Sequence, residues 1–122
     1  MKVDRKALSR GYKETPRQMG VFRVHNTAAD KSFVGASNDL PSMLNRQRFQ
    51  LTRGVHPNRA LQDDWNRLGP EAFVFEILDT LSPSEQPDYD PSEDLRVLEE
   101  LWLVKLSPFG ERGYNVVPKA SR

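Results

Sequence analysis

Apolar residues recur along this 122-residue chain at two spacings, every second residue and every third or fourth, and the switches between them mark out its elements. The runs GVFRVHN (20–26) and SFVGAS (32–37) alternate on either side of the polar segment TAADK, which predicts a hairpin. Phe22 and Val24 then share a face, with Arg23 and His25 on the other. Pairing Asn26 with Lys31 sets Val24 opposite Phe33 and Phe22 opposite Gly35, so both phenyl rings lie on one face as diagonal neighbours. A helical spacing follows. Asp39 is positioned to cap a helix with Pro41 in its first turn; Leu40, Leu44 and Leu51 are its buried side and Gly54 ends it. Asn58 can cap a second helix, striped by Leu61, Trp65 and Leu68 and stopped by Gly69.

The strand period returns in AFVFEIL (72–78), with Phe73, Phe75 and Ile77 on one face. The acidic, proline-bearing stretch 82–91 reads as a loop. A last helix opens at Pro91 and Ser92, places Glu93 and Asp94 at its positive end, and buries Leu95, Leu98, Leu101, Trp102 and Leu106 before Pro108 stops it. GYNVV (113–117) predicts a short edge strand. Residues 1–18 show no apolar period and read as a flexible basic arm or a short accessory helix, and 118–122 as a tail.

Composition narrows the class. The length fits one domain, 19–117 between the arm and the tail. Cysteine is absent, which removes disulfides, thiolate zinc sites and cysteine nucleophiles. No apolar run reaches the roughly 18–20 residues that span a bilayer, and the start of the chain has no apolar signal core, so a cytoplasmic location is expected. The net charge of +1 hides segregation. Between Leu40 and Gln62 stand Arg46, Arg48, Arg53 and Arg59 with no acid, whereas residues 82–94 carry five acids and no base. Such a basic stretch can steer a polyanion to one side of a molecule.

Four short motifs in this order resemble the GIY-YIG endonuclease family, its homing-endonuclease branch in particular. GVF (20–22) stands where that family has GIY, and FVG (33–35) where it has YIG. His56, the Leu61–Gln62 pair, Gly69 and the Phe-rich strand follow as in the homing branch, and LEELWL (98–103) and GYN (113–115) match the family's final helix and terminal motif. The resemblance covers about residues 19–117. It implies an α+β fold, a small, mostly antiparallel three-stranded sheet flanked by helices in the order β-β-α-α-β-α. It also implies hydrolysis of a phosphodiester bond with Mg²⁺ or Mn²⁺ as cofactor and nucleic acid, DNA before RNA, as partner.

Carried over residue by residue, the resemblance puts Glu99 at the metal-ligand position, with Glu100 the alternative in the other helical register, and Asn115 at the family asparagine. Phe22 and Phe33 occupy both tyrosine positions and Met43 the arginine position. A phenyl ring keeps the volume of a tyrosine but can neither hold a water nor take its proton. Losing a general base costs about 10²–10⁴ in rate, and losing a fixed charge-stabilising donor about 10²–10³. Arg46, one turn after Met43, and His56 are the candidate substitutes; Tyr114 and Tyr12 are the remaining hydroxyls without a motif argument. The plainer reading of Phe22, Phe33 and Met43 is core packing, and that of Arg46, Arg48, Arg53 and Arg59 is a solvated surface. Three functions are therefore open: a nucleic-acid-binding domain of this family with cleavage weakened or lost, an active Mg²⁺-dependent endonuclease using substitute residues, and a non-catalytic protein-interaction or regulatory module.

Overall fold

The structure is a computed structural model and describes residues 18–82, 86 and 88–116. The basic arm, apart from Gln18, and the tail 118–122 lie outside the described residues, as does Tyr12. The elements are β1 (Met19–Asn26), β2 (Lys31–Ser37), α1 (Leu40–Arg53), α2 (Arg59–Leu68), β3 (Phe73–Leu81) and α3 (Ser92–Leu106). β1 is central, and the sheet runs β2-β1-β3 with both neighbours antiparallel to it. The order and the sheet are those the sequence implies.

The hairpin register is also the expected one, Asn26 with Lys31, Val24 with Phe33 and Phe22 with Gly35. Its turn is set by Asn26, whose side-chain oxygen accepts from the backbone N–H groups of Ala28 and Ala29 at 3.0 and 3.1 Å. Gly35 has a steric reason to be glycine: a Cβ there would lie 2.7 Å from Phe22 Cζ, because that ring folds across it. β3 starts one residue later than AFVFEIL suggests and ends three residues beyond it, and a bulge opposite Val21 and Phe22 lets it continue beside β1.

The helix boundaries follow their caps. Asp39 accepts from Ser42 N–H at 3.3 Å, and Gly54, at φ 76, returns its N–H to the last turn of α1. Asn58 accepts from Leu61 N–H at 3.1 Å, while Gly69 closes α2. Helices α1 and α2 cover the sheet face that carries Phe22, Val24 and Phe73, and with Leu40, Leu51, Leu61, Trp65 and Tyr114 they form the core. Burying each such side chain contributes about 1.5–3 kcal/mol.

Helix α3 lies against β1 and β2 from the other side, with Leu106 beside Arg23 and Ser32. Here the sequence reading needs correction. No residue of α3 is fully buried, and Leu101 is exposed, as are Val97 and Val104. Leu95, Leu98, Trp102 and Leu106 are half-buried instead. A single apolar spacing cannot tell a helix that meets a full layer from one that meets half of one. Nor do residues 113–116 form a strand: Gly113 and Asn115 make isolated bridges to Ser32 and Phe109. Among the described residues no helix is long and apolar enough to cross a membrane.

Candidate functional site

Four of the implied site positions come together on the α1–α2 side of the sheet. Phe22 and Phe33 meet edge to face with centroids 6.3 Å apart. Phe33 in turn meets the His56 ring almost perpendicularly at 5.6 Å. Gln47 spans the remaining gap: its carbonyl oxygen lies 2.6 Å from His56 Nε2, and its amide donates to Met43 Sδ at 3.4 Å. Phe22, Phe33, Met43 and His56 thus belong to one contiguous packing unit.

The chemistry of that unit is closed. His56 Nδ1 accepts from Asn58 N–H at 3.0 Å, so the ring proton sits on Nε2, where it is donated to Gln47. Both ring nitrogens are engaged, the residue is only 7% exposed, and burial pushes its pKa below the usual histidine value. A neutral, doubly bonded imidazole has no free lone pair with which to take a proton from water. Gln62 braces the same loop, accepting from His56 N–H at 2.9 Å and donating to Leu51 O at 3.0 Å.

Tyr114 is equally committed. Its hydroxyl donates to Asp64 at 2.7 Å and accepts from Asn26 at 2.9 Å, and burial together with the Asp64 carboxylate raises its pKa strongly. Asn115 sits beside the aromatic pair by another route. Its carboxamide accepts from Val34 N–H at 2.9 Å and donates to Val34 O at 2.8 Å, and Tyr114 N–H donates to Ser32 O. A side-chain amide here does what a neighbouring strand would do for the free edge of β2, fixing the strand that carries Phe33.

Glu99 is carried by α3 and makes none of the ring contacts or hydrogen bonds that join this unit. It lies on α3 one turn before Trp102, whose indole N–H donates to Asp79 of β3 at 3.0 Å and holds the helix to the sheet. Among the described residues no hydrogen bond or ion pair engages the Glu99 carboxylate. Burial first, and then the Glu100 charge, push its pKa above the usual carboxylate range. Glu100 faces outward and pairs with Arg96 at 2.7 Å, which leaves Glu99 as the carboxylate free to hold a cation. No group of three or more His, Asp or Glu side chains converges among the described residues. A half-buried carboxylate without a partner fits Mg²⁺, which takes one or two protein carboxylates and fills its other positions with water or phosphate oxygens.

The arginines divide. Arg48 lays its guanidinium over the Phe75 ring at 4.2 Å, and Arg53 over Phe49 at 5.3 Å. Arg46 and Arg59 are exposed and, among the described residues, unpaired. Gln47 was missed in the sequence, although it carried a signal: a polar residue in the seam otherwise made by Leu40, Leu44 and Leu51. Tyr114's partner Asp64 carried none, because the two are 50 residues apart.

No protein-family profile matches the sequence, and no curated protein sequence does. Among solved structures the chain is similar to the catalytic domain of homing endonuclease I-TevI, with a TM-score of 0.67 and 24% identity over 82% of this chain and 99% of that one. A mutant of the catalytic domain of intron endonuclease I-TevI aligns with the same TM-score at 22% identity, covering 84% of this chain and 97% of that one. The chain has the fold of that nuclease domain.

Proposed function

We propose that this chain is a GIY-YIG-type nuclease domain that binds nucleic acid, DNA in the first place, through the basic surface of α1 and the start of α2, with metal-dependent phosphodiester cleavage weakened or lost. The observation that carries the reading is the packing of Phe22, Phe33 and His56 into one unit with no hydroxyl and no free imidazole nitrogen. Met43, at the family's arginine position, bonds to Gln47 and offers no charge.

Glu99 would hold the divalent cation, which when bound supplies charge neutralisation at a phosphate and polarises a water. The chain's own residues add little to that. Phe22 and Phe33 exclude water from the sheet side, Asn115 keeps β2 in place, and Arg46 is an exposed cation one turn after Met43 on α1. Binding is the better supported half: four arginines and no acid between Leu40 and Gln62 present a field that attracts phosphates.

Incubating the protein with single- and double-stranded DNA and RNA, with Mg²⁺ or Mn²⁺, tests both halves. The expected result is retention that weakens steeply with salt, with slow cutting or none. Rapid cutting that disappears in Glu99→Ala would show an active enzyme with substitute residues. A protein that holds no nucleic acid even at low salt would instead be an interaction or regulatory module.

A further inference from the structure

Phe49 lies at the centre of the solvent face of α1. At about 100° per residue, Leu40, Leu44, Gln47 and Leu51 form the seam turned to the sheet, and Phe49 falls about 180° from it. It is 58% exposed, so the core does not account for it. Its neighbours on that outer stripe are Ser42, Arg46 and Arg53, one or two turns away. The Arg53 guanidinium sits 5.3 Å from the ring centroid and covers part of it, while Arg46 reaches into solvent on the other side. The two arginines are about 10 Å apart along the helix axis, with the phenyl ring between them.

We infer that Phe49, flanked by Arg46 and Arg53, is a stacking platform for an unpaired base of single-stranded or locally opened nucleic acid. The inference rests on the nucleic-acid reading above and narrows its substrate class. In a duplex the base faces are closed by their neighbours, so a phenyl ring on a helix surface can meet sugar, phosphate and base edges but no free π face. An unpaired base offers a free π face, and any of the four bases can stack on the ring. Arg46 and Arg53, one turn to either side of the ring, can turn to the phosphates flanking such a base, and the absence of acids from Leu40 to Gln62 leaves that contact unopposed. Charge explains attraction to either form of nucleic acid; only the aromatic at the centre of the stripe distinguishes them.

Fluorescence anisotropy with a labelled mixed-sequence single-stranded DNA, and with the same strand in a blunt duplex, tests this at constant low salt. Single-strand affinity should exceed duplex affinity by about tenfold. Phe49→Ala should bring it down to the duplex value without weakening duplex binding, and Phe49→Trp should keep the difference. Because Phe49 is exposed, the variants should melt with the parent protein, which excludes misfolding as the cause. Equal affinity for both DNAs, or a Phe49→Ala variant that loses nothing or loses both equally, overturns the platform and leaves the nucleic-acid reading standing. A parent protein that binds neither DNA overturns both.

Discussion

The two faces of the sheet are built differently. The face under α1 and α2 is closed: Leu40, Leu51, Leu61 and Val24 are at most 1% exposed, and the polar groups among them, His56, Gln47, Gln62, Asn26 and Tyr114, are hydrogen-bonded to one another or to backbone. The sheet side of the face under α3 is buried too, with Val21 and Val34 at 0% and 2% exposed, but the helix over it is not. That helix buries no residue fully, leaves Leu101 60% and Val104 82% exposed, and is tied down by the Trp102–Asp79 hydrogen bond. The unit of Phe22, Phe33 and His56 falls on the face under α1 and α2, where its residues pack and hydrogen-bond. Glu99, on α3, is half-buried, and among the described residues no hydrogen bond or ion pair engages it.

The contrast predicts its largest effect in paired truncations. Leu51→Ala should cost about 2–5 kcal/mol in urea unfolding, because the cavity cannot refill, whereas Leu101→Ala should stay within about 0.5 kcal/mol. Comparable losses at the two sites would mean that the α3 face is covered after all.

Restoring the hydroxyls gives a second, smaller difference. Phe22 points its Cζ at Gly35 and is 3% exposed, so Phe22→Tyr drives an oxygen against β2 and should cost about 1–3 kcal/mol. Phe33 is half-buried, and Phe33→Tyr should cost under about 1 kcal/mol, since the new hydroxyl has a way to water. A neutral Phe22→Tyr would show that the closed face has room for a hydroxyl.

The smallest effect is a pH dependence. Burial depresses the pKa of His56 in the folded state below its ordinary value of 6.5, so folding favours the neutral ring. Its contribution to stability is complete above about pH 6.5 and is lost as the pH falls through the depressed value. Melting temperature should therefore fall by about 2–4 °C on acidification through that window, and His56→Gln should flatten the fall. The carboxylates with lowered pKa values, Asp30 and Asp64 among them, act further into acid. An unchanged slope in His56→Gln would show that the imidazole is not the group held neutral.

Much of this was open to reading in the chain itself. The hairpin followed from alternation, its register from the one condition that Asn26 pairs with Lys31, and the helix boundaries from Asp39, Gly54, Asn58 and Gly69, because these are local effects of hydrogen bonds and backbone freedom within a few residues. The motif order GVF, FVG, LEELWL and GYN pointed to the fold that the I-TevI catalytic domain shares. The thin cover over α3 was not legible, since burial depends on what the rest of the fold brings to a helix and not on the spacing of its leucines.

The sequence determined which groups are available: no cysteine, no tyrosine at positions 22 and 33, a methionine at 43, and arginines without acids from Leu40 to Gln62. Tertiary structure alone decided their state. His56 and Tyr114 carry reactive groups on paper, yet contacts from Gln47 and Asn58 in one case, and from Asn26 and Asp64 in the other, occupy every one of them. Glu99 and Glu100 are neighbours in the chain with the same side chain, but the turn of the helix buries one and ties the other to Arg96. Availability is a property of residue type; reactivity depends on which partners the fold brings within hydrogen-bond reach.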